Sequence, residues 1–183
     1  MDKVRIGIIG LGNIGVRHAE YLFKGDVPGG ELVAICDRNP AHRQWAHDNF
    51  GEQVLIFDNI DQFLAAKVVD GVVIAIPHYS HPAVGIQALK NGYHILVEKP
   101  AGVYTKQVRE LNTVALNYPG LTFAMMYNQR ANPLYQKLRS LVGAGELGSI
   151  KRTNWIITNW YRSQSYYDSS SWRATWAGEG GGV

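Results

Sequence analysis

Cysteine is all but missing: Cys36 is the only one among 183 residues. A single thiol closes no internal disulfide, and its place at the end of the apolar run from Leu32 makes it a small buried hydrophobe. A disulfide-stapled scaffold is excluded and a reducing compartment is expected. No apolar stretch reaches the roughly 18 residues that a membrane-crossing helix needs. Met1-Asp2-Lys3 runs into an apolar segment at Val4 with no room for a secretory leader, which points to the cytoplasm. Basic clusters are missing as well. The net charge is +3, yet Lys and Arg are scattered along the chain, so a nucleic-acid surface is not expected. What is present is 46% apolar and 18% charged residues, the balance of an ordinary globular protein.

An apolar run from Val4 ends in Gly10-Leu11-Gly12-Asn13-Ile14-Gly15, and 22 residues later Asp37 closes a second apolar run. A dinucleotide-binding turn asks for this order. A strand delivers the chain into a turn where Gly10 has no room for a Cβ, Gly12 lets the backbone approach a pyrophosphate, and Gly15 lets the following helix pack on the strand. The pyrophosphate then rests on unpaired N–H groups at the positive helix end, around Asn13 and Ile14. Asp37 stands where a carboxylate accepts both adenosine ribose hydroxyls and repels a 2′-phosphate, which favours NAD. Arg38 beside it can stack on adenine or neutralise a 2′-phosphate, which leaves NADP open as a second cofactor.

Helices and strands alternate through the first two thirds of the chain. Helix signals cover Ile14 to Lys24, Ala41 to Phe50, Ile60 to Ala66, a stretch from Ser80 to Asn91, and Thr105 to Asn117. Between them lie apolar strand runs: Leu32 to Cys36, Val54 to Phe57, Gly71 to Ile76, His94 to Val97 and Leu121 to Met126. Uniformly apolar strands mean a parallel sheet covered on both faces, so the fold class is α/β: a doubly wound Rossmann domain over residues 1 to 125. Residues 126 to 183 change character. Asn132-Pro133 opens a helix with Leu134, Leu138, Leu141 and Val142 on one face, Ile150 to Trp160 reads as a strand, and a Ser-, Tyr- and Trp-rich loop runs to Gly180-Gly181-Gly182-Val183. That is too little to bury both faces of anything, so this part is expected to be the start of an incomplete α+β domain.

Lys99 follows the fifth strand near the crevice where open α/β sheets take ligands, and an ammonium there can polarise a substrate oxygen and stabilise a developing alkoxide. The competing reading is an ion pair with Glu98. His78 and His81 follow the fourth strand after Ile76-Pro77, where the nicotinamide half of a cofactor could lie, and pocket shaping suits them better than acid/base work. Their H-x-x-H spacing lacks a third ligand, so no metal is expected. His42 and His47 read as solvated, His94 as part of a buried strand, and His18 as a packing residue or one bonded to backbone. Asn128 and Arg130 lie on the crossover between the two parts, to touch the nicotinamide end or brace the hinge. Trp155 and Trp160 read as sheet or interface residues. Trp172 and Arg173, in the loop, are the better contacts for the C–H faces and hydroxyls of a sugar.

Glu98-Lys99-Pro100 after the fifth strand, the N-terminal glycine fingerprint, Ile76-Pro77 followed by His81, Tyr127-Asn128-x-Arg130, Gly145-Glu146-Leu147-Gly148 and Trp172-Arg173 before a glycine triplet together resemble the Gfo/Idh/MocA oxidoreductases. These are relatives of glucose-fructose oxidoreductase and inositol 2-dehydrogenase. The resemblance implies an NAD(P)-dependent dehydrogenase of a sugar, inositol or related polyol, with cofactor contacts from Glu98, Lys99 and Asn128 and proton-transfer help from Lys99. It also implies homo-oligomerisation through an open C-terminal sheet, and a general-base histidine beyond Val183. Two alternatives stay open: a reductase of a keto-sugar, imine or diol from the same family, and a nucleotide-sensing protein without turnover.

Overall fold

The computed structural model describes residues 3–158 and 161–180. Strand β1 (Val4–Ile9) leads through the glycine turn to α1 (Asn13–Lys24), which Gly25 ends in the left-handed conformation with its N–H on Leu22 and Tyr21 carbonyls. Next come β2 (Gly30–Cys36), α2 (Pro40–Phe50), β3 (Leu55–Phe57) and α3 (Ile60–Ala65). Asn39 and Asn59 cap α2 and α3 by accepting backbone N–H groups of the first turn, the role short polar side chains play best. Strand β4 (Gly71–Ile74), α4 (His81–Lys90), β5 (His94–Glu98), α5 (Thr105–Leu116) and β6 (Phe123–Met126) complete the sheet.

All strand pairs are parallel, in the order β3-β2-β1-β4-β5-β6. The chain winds outward from β1 in one direction and then restarts at β4 on its other side, so a crevice opens beyond the carboxyl ends of β1 and β4. Side chains alternate across the sheet and build two cores. Ile8 and Ile35 face α1 and α2, among Ala19, Leu22, Ala46 and Phe50, while Ile9, Ile74 and Val97 face the side holding Phe63, Leu64, Ala88, Leu89 and Leu111. Cys36 is buried in the second core, and burial, with the charges of Asp37 and Asp58, pushes its thiol up to about 12. That thiol is inert packing.

Small departures from the sequence reading have local causes. Ser80 precedes α4 but makes no capping bond, because a 3-10 turn (His78–Ser80) runs into the helix and already holds Ser80 in helical conformation. Thr105 is the first residue of α5, and Tyr104 stands at the cap position without a side-chain capping bond. The expected strand over Ile150 to Trp160 is not formed through residue 158. Ile150, Trp155, Ile156 and Ile157 are exposed and meet no strand edge, and a lone strand has nothing to pair with. Trp160, Gly181, Gly182 and Val183 lie outside the described residues. Beyond β6 come α6 (Pro133–Gly143, capped by Asn132), α7 (Gln164–Asp168) and α8 (Trp176–Glu179). Among the described residues no helix is long and apolar enough to cross a membrane.

Candidate active site at the carboxyl ends of the strands

Gly10 has φ +95, and a Cβ there would sit 2.5 Å from the carbonyl oxygen of Ala75, just past the end of β4. Only glycine lets β1 and β4 close up at the point where the winding reverses. A Cβ on Gly15 would overlap the carbonyl oxygen of Gly10, which locks the start of α1 against the turn. Gly12 differs: a Cβ there would meet nothing within 4 Å, so its bare Cα faces open space. The N-terminus of α1 carries no side-chain cap and no acid in its first turn. Open room over Gly12 and uncapped, positively polarised N–H groups at Asn13 and Ile14 form a cradle that fits a pyrophosphate.

Asp37 lies at the far side of that turn. Its Oδ2 accepts the backbone N–H of Leu11 at 2.6 Å and lies 3.1 Å from His42 Nδ1, while Oδ1 accepts the N–H of Asn39 at 2.7 Å. The Arg43 guanidinium donates to the carbonyls of Asp37 and Arg38 at 3.0 and 2.8 Å and fixes the backbone that carries both side chains. His42, its side chain 41% exposed, is solvated and also a partner of Asp37. Its place five residues on, at the first turn of a helix that begins beside the carboxylate, was the readable signal for it.

Glu98 is 6% exposed at the end of β5, yet charged groups surround it. His18 Nε2, from the second turn of α1, lies 2.8 Å from Glu98 Oε1, and the Lys99 backbone N–H donates to Oε2 at 3.2 Å. Burial alone would push this carboxyl up. The hydrogen bond and charge of His18, with the N–H and charge of Lys99, outweigh that and hold it below the usual carboxylate range. So Glu98 spends both oxygens on the protein, and His18 bonds a side chain, not the backbone.

The Lys99 side chain is exposed, and among the described residues its ammonium makes no hydrogen bond or ion pair. The ion pair with Glu98 that would have made it structural is replaced by the His18 contact. The Lys99-Pro100 peptide is cis. Behind it His81, 1% exposed, places Nδ1 2.7 Å from the Pro100 carbonyl oxygen and Nε2 2.7 Å from that of Ile76, so one ring ties the turn after β5 to the turn after β4.

His78 is half-buried at the mouth of the same crevice. Burial, the nearby His81 and the Lys99 ammonium lower its tendency to take a proton, against the pull of Glu179. Its Nδ1 is 3.4 Å from the Glu179 carbonyl oxygen, and the Trp172 ring meets it edge-on at 5.0 Å. Tyr79 donates to the Trp176 carbonyl at 3.0 Å, and Gly180 packs on Val103. Residues 172–180 thus lie across the turns after β4 and β5. Arg173 is held by its own segment: its guanidinium lies over the rings of Tyr166 and Trp172 and donates to the Tyr166 hydroxyl. Asn128 lies in an exposed turn (Asn128–Ala131) just after β6, whose Met126 pairs with Glu98, with Arg130 stacked on Tyr127. His94 is exposed, not buried, and its Nδ1 accepts the Thr122 N–H at 2.9 Å. Among the described residues no three His, Cys, Asp or Glu side chains converge as metal ligands.

The scyllo-inositol dehydrogenase of Lactobacillus casei, solved with NAD(H) and scyllo-inositol, superposes with a TM-score of 0.76 at 27% identity, over 80% of this chain and 43% of that one. The WlbA dehydrogenase of Bordetella pertussis, solved with NADH and UDP-GlcNAcA, superposes with a TM-score of 0.84 at 26% identity, over 97% of this chain and 50% of that one. In sequence, inositol 2-dehydrogenase of Corynebacterium glutamicum (strain R) is 31% identical over 171 residues, 91% of this chain and 49% of that protein. The chain spans about half the length of these relatives. Residues 4–119 match the profile of the oxidoreductase family with an NAD-binding Rossmann fold, GFO_IDH_MocA, and the chain belongs to that family.

Proposed function

We propose that this chain is the nucleotide-binding part of an NAD-dependent dehydrogenase that moves a hydride between nicotinamide and a carbinol carbon of a sugar, inositol or related polyol. The observation that carries the reading is the unpaired Lys99 ammonium at the crevice, held between two buried anchors, Glu98 and the His81-bound Pro100 carbonyl. NAD, when bound, supplies the hydride acceptor. Gly12, Asn13 and Ile14 would cradle its pyrophosphate and Asp37 its adenosine ribose. Lys99 would hold the reacting oxygen and stabilise the charge that develops on it, and Trp172 would wall the site beside His78. The names of the inositol and sugar dehydrogenase relatives support this substrate class.

The family's reductase chemistry uses the same cofactor site. A nucleotide-linked sugar is a second reading of the substrate, supported by the WlbA likeness, which covers 97% of this chain. We place the protein in the cytoplasm and assign residues 126–183 to a second unit that carries self-association. The test is NADH formation by the full-length protein with a panel of inositols, hexoses, hexose phosphates and nucleotide sugars. Turnover with a free polyol or sugar supports the reading. Tight NAD binding with no turnover on any of them would instead favour a nucleotide sensor.

A further inference from the structure

His18 and Glu98 are 80 residues apart in sequence and meet at 2.8 Å. Their side chains are 17% and 8% exposed, so this is a contact largely withdrawn from water, at the point where α1 passes the end of β5. A carboxylate this deep needs partners. Its own neighbour in the chain carries an ammonium that makes no bond among the described residues, although the two charges are close enough to act on each other. The simplest ion pair in the site, Glu98 with Lys99, is therefore the one the fold does not make.

We propose that His18 is a positioning residue for the reaction: by occupying Glu98 Oε1 it keeps the carboxylate from capturing the Lys99 ammonium and leaves that group free for the reacting oxygen. Oε2 is already taken by the Lys99 backbone N–H. With His18 removed, Oε1 becomes a buried, unsatisfied acceptor, and the adjacent Lys99 side chain, whose charge already acts on Glu98, is a mobile donor on a flexible stem. Because α1 begins at the glycine turn, the same contact couples the element that cradles the cofactor to the residue that handles the substrate.

This inference rests on the proposed role of Lys99, and two readouts separate the two. The first is the rate at which an amine-reactive reagent labels Lys99, mapped by mass spectrometry, which requires no turnover. His18→Ala should slow labelling by about tenfold, the effect of one new ion pair with a desolvated partner. Adding Glu98→Gln, which removes the captor's charge, should restore it. The second is kcat with NAD in the full-length protein, which should fall by about tenfold in His18→Ala with the NAD Kd little changed. If His18→Ala does not fold, His18→Gln, which keeps a donor, and His18→Leu, which fills the space without one, replace it: the first should label like the parent and the second slowly. Unchanged Lys99 labelling in His18→Ala or His18→Leu overturns the proposal, and so does a double variant that stays slow. If Lys99→Ala turns over normally, the reading of the reaction fails, whatever the labelling shows.

Discussion

The carboxylate of Asp37 accepts the Leu11 N–H at 2.6 Å, so the residue that closes β2 also holds the turn that closes β1. Asp37 accepts a second backbone bond, from Asn39 on Oδ1, and the His42 ring lies on Oδ2, which leaves Oδ1 with one protein partner against two for Oδ2. A ribose hydroxyl adds to a preorganised acceptor there, whereas a 2′-phosphate meets a fixed negative charge. Asp37→Ser should raise the NADH Kd by about tenfold, about 1.4 kcal/mol, and narrow or reverse the preference over NADPH. Intrinsic-fluorescence titration with both nucleotides checks it, and equal affinities in the parent would remove the basis for an NAD preference.

Gly12 and Gly15 make a matched pair of tests, because one faces space and the other faces backbone. Gly12→Ala should leave the melting temperature within a few degrees of the parent while NADH affinity falls by tenfold or more, since only the cofactor competes for that volume; roughly 1 kcal/mol of instability would move Tm by about 4 °C or less in a chain of this size. Gly15→Ala should lower both, because its methyl overlaps the Gly10 carbonyl. Calorimetry beside binding titration separates the two outcomes. A Gly12→Ala protein that binds like the parent would mean that the pyrophosphate does not pass over this turn.

Lys99→Ala tests the chemistry directly. The ammonium has no partner among the described residues to lose, so folding should be unaffected, while turnover in the full-length protein should fall by about 10² or more, the range for an electrostatic or acid/base group. Steady-state kinetics with NAD saturating gives the number. Near-normal kcat would return Lys99 to the surface.

Much of this site can be read along the chain. Gly10, Gly12, Gly15 and Asp37 stand at offsets set by one strand-turn-helix-strand unit, so local geometry alone relates them, and the apolar strands reveal the parallel sheet. The pairings that position Lys99 are of another kind. His18 and Glu98 come from α1 and β5, and His81 reaches past Lys99 to the Pro100 carbonyl; only the sheet order brings these elements together. A histidine in an amphipathic helix reads as packing until its partner is known. The strand expected at Ile150 fails for the opposite reason: its pattern suits a sheet, but a strand exists only with an edge to pair, and residues 150–158 meet none.

The contact of His78 with residues 172–180 should be pH-sensitive. Burial, with the charges of His81 and Lys99, outweighs the carbonyl and charge of Glu179, so the protonated ring is less favourable in the folded arrangement than in an unfolded chain. A group with a lowered folded value binds its proton more readily when released, so the docked state is favoured at neutral pH and loses stability as pH falls through about 6.5, the ordinary imidazole value. Trp172, edge-on to His78, reports it: its emission should shift toward that of exposed tryptophan below about pH 6, with a Trp172→Phe protein as the blank. The transition should vanish in His78→Gln, and its persistence there would assign it to another group.

Proteolysis should divide the chain by burial. Every fully buried residue among those described lies at or before Leu111, and the helices and turns after β6 expose Leu134, Leu147, Trp155, Ile156 and Tyr161. Backbone there opens at little free-energy cost, while the sheet opens only with both cores. Brief trypsin treatment should cut first in the basic stretch around Lys151 and Arg152 and leave residues 1 to about 126 as a resistant core that still binds NADH. Leu134→Lys with Ile156→Lys should reduce self-association of the 183-residue chain without changing that core, because neither side chain packs in the sheet. Sizing by light scattering checks the second point. A chain that resists trypsin throughout and runs as a monomer would show that residues 126–180 form a closed unit on their own, and the exposed apolar positions would then need no partner.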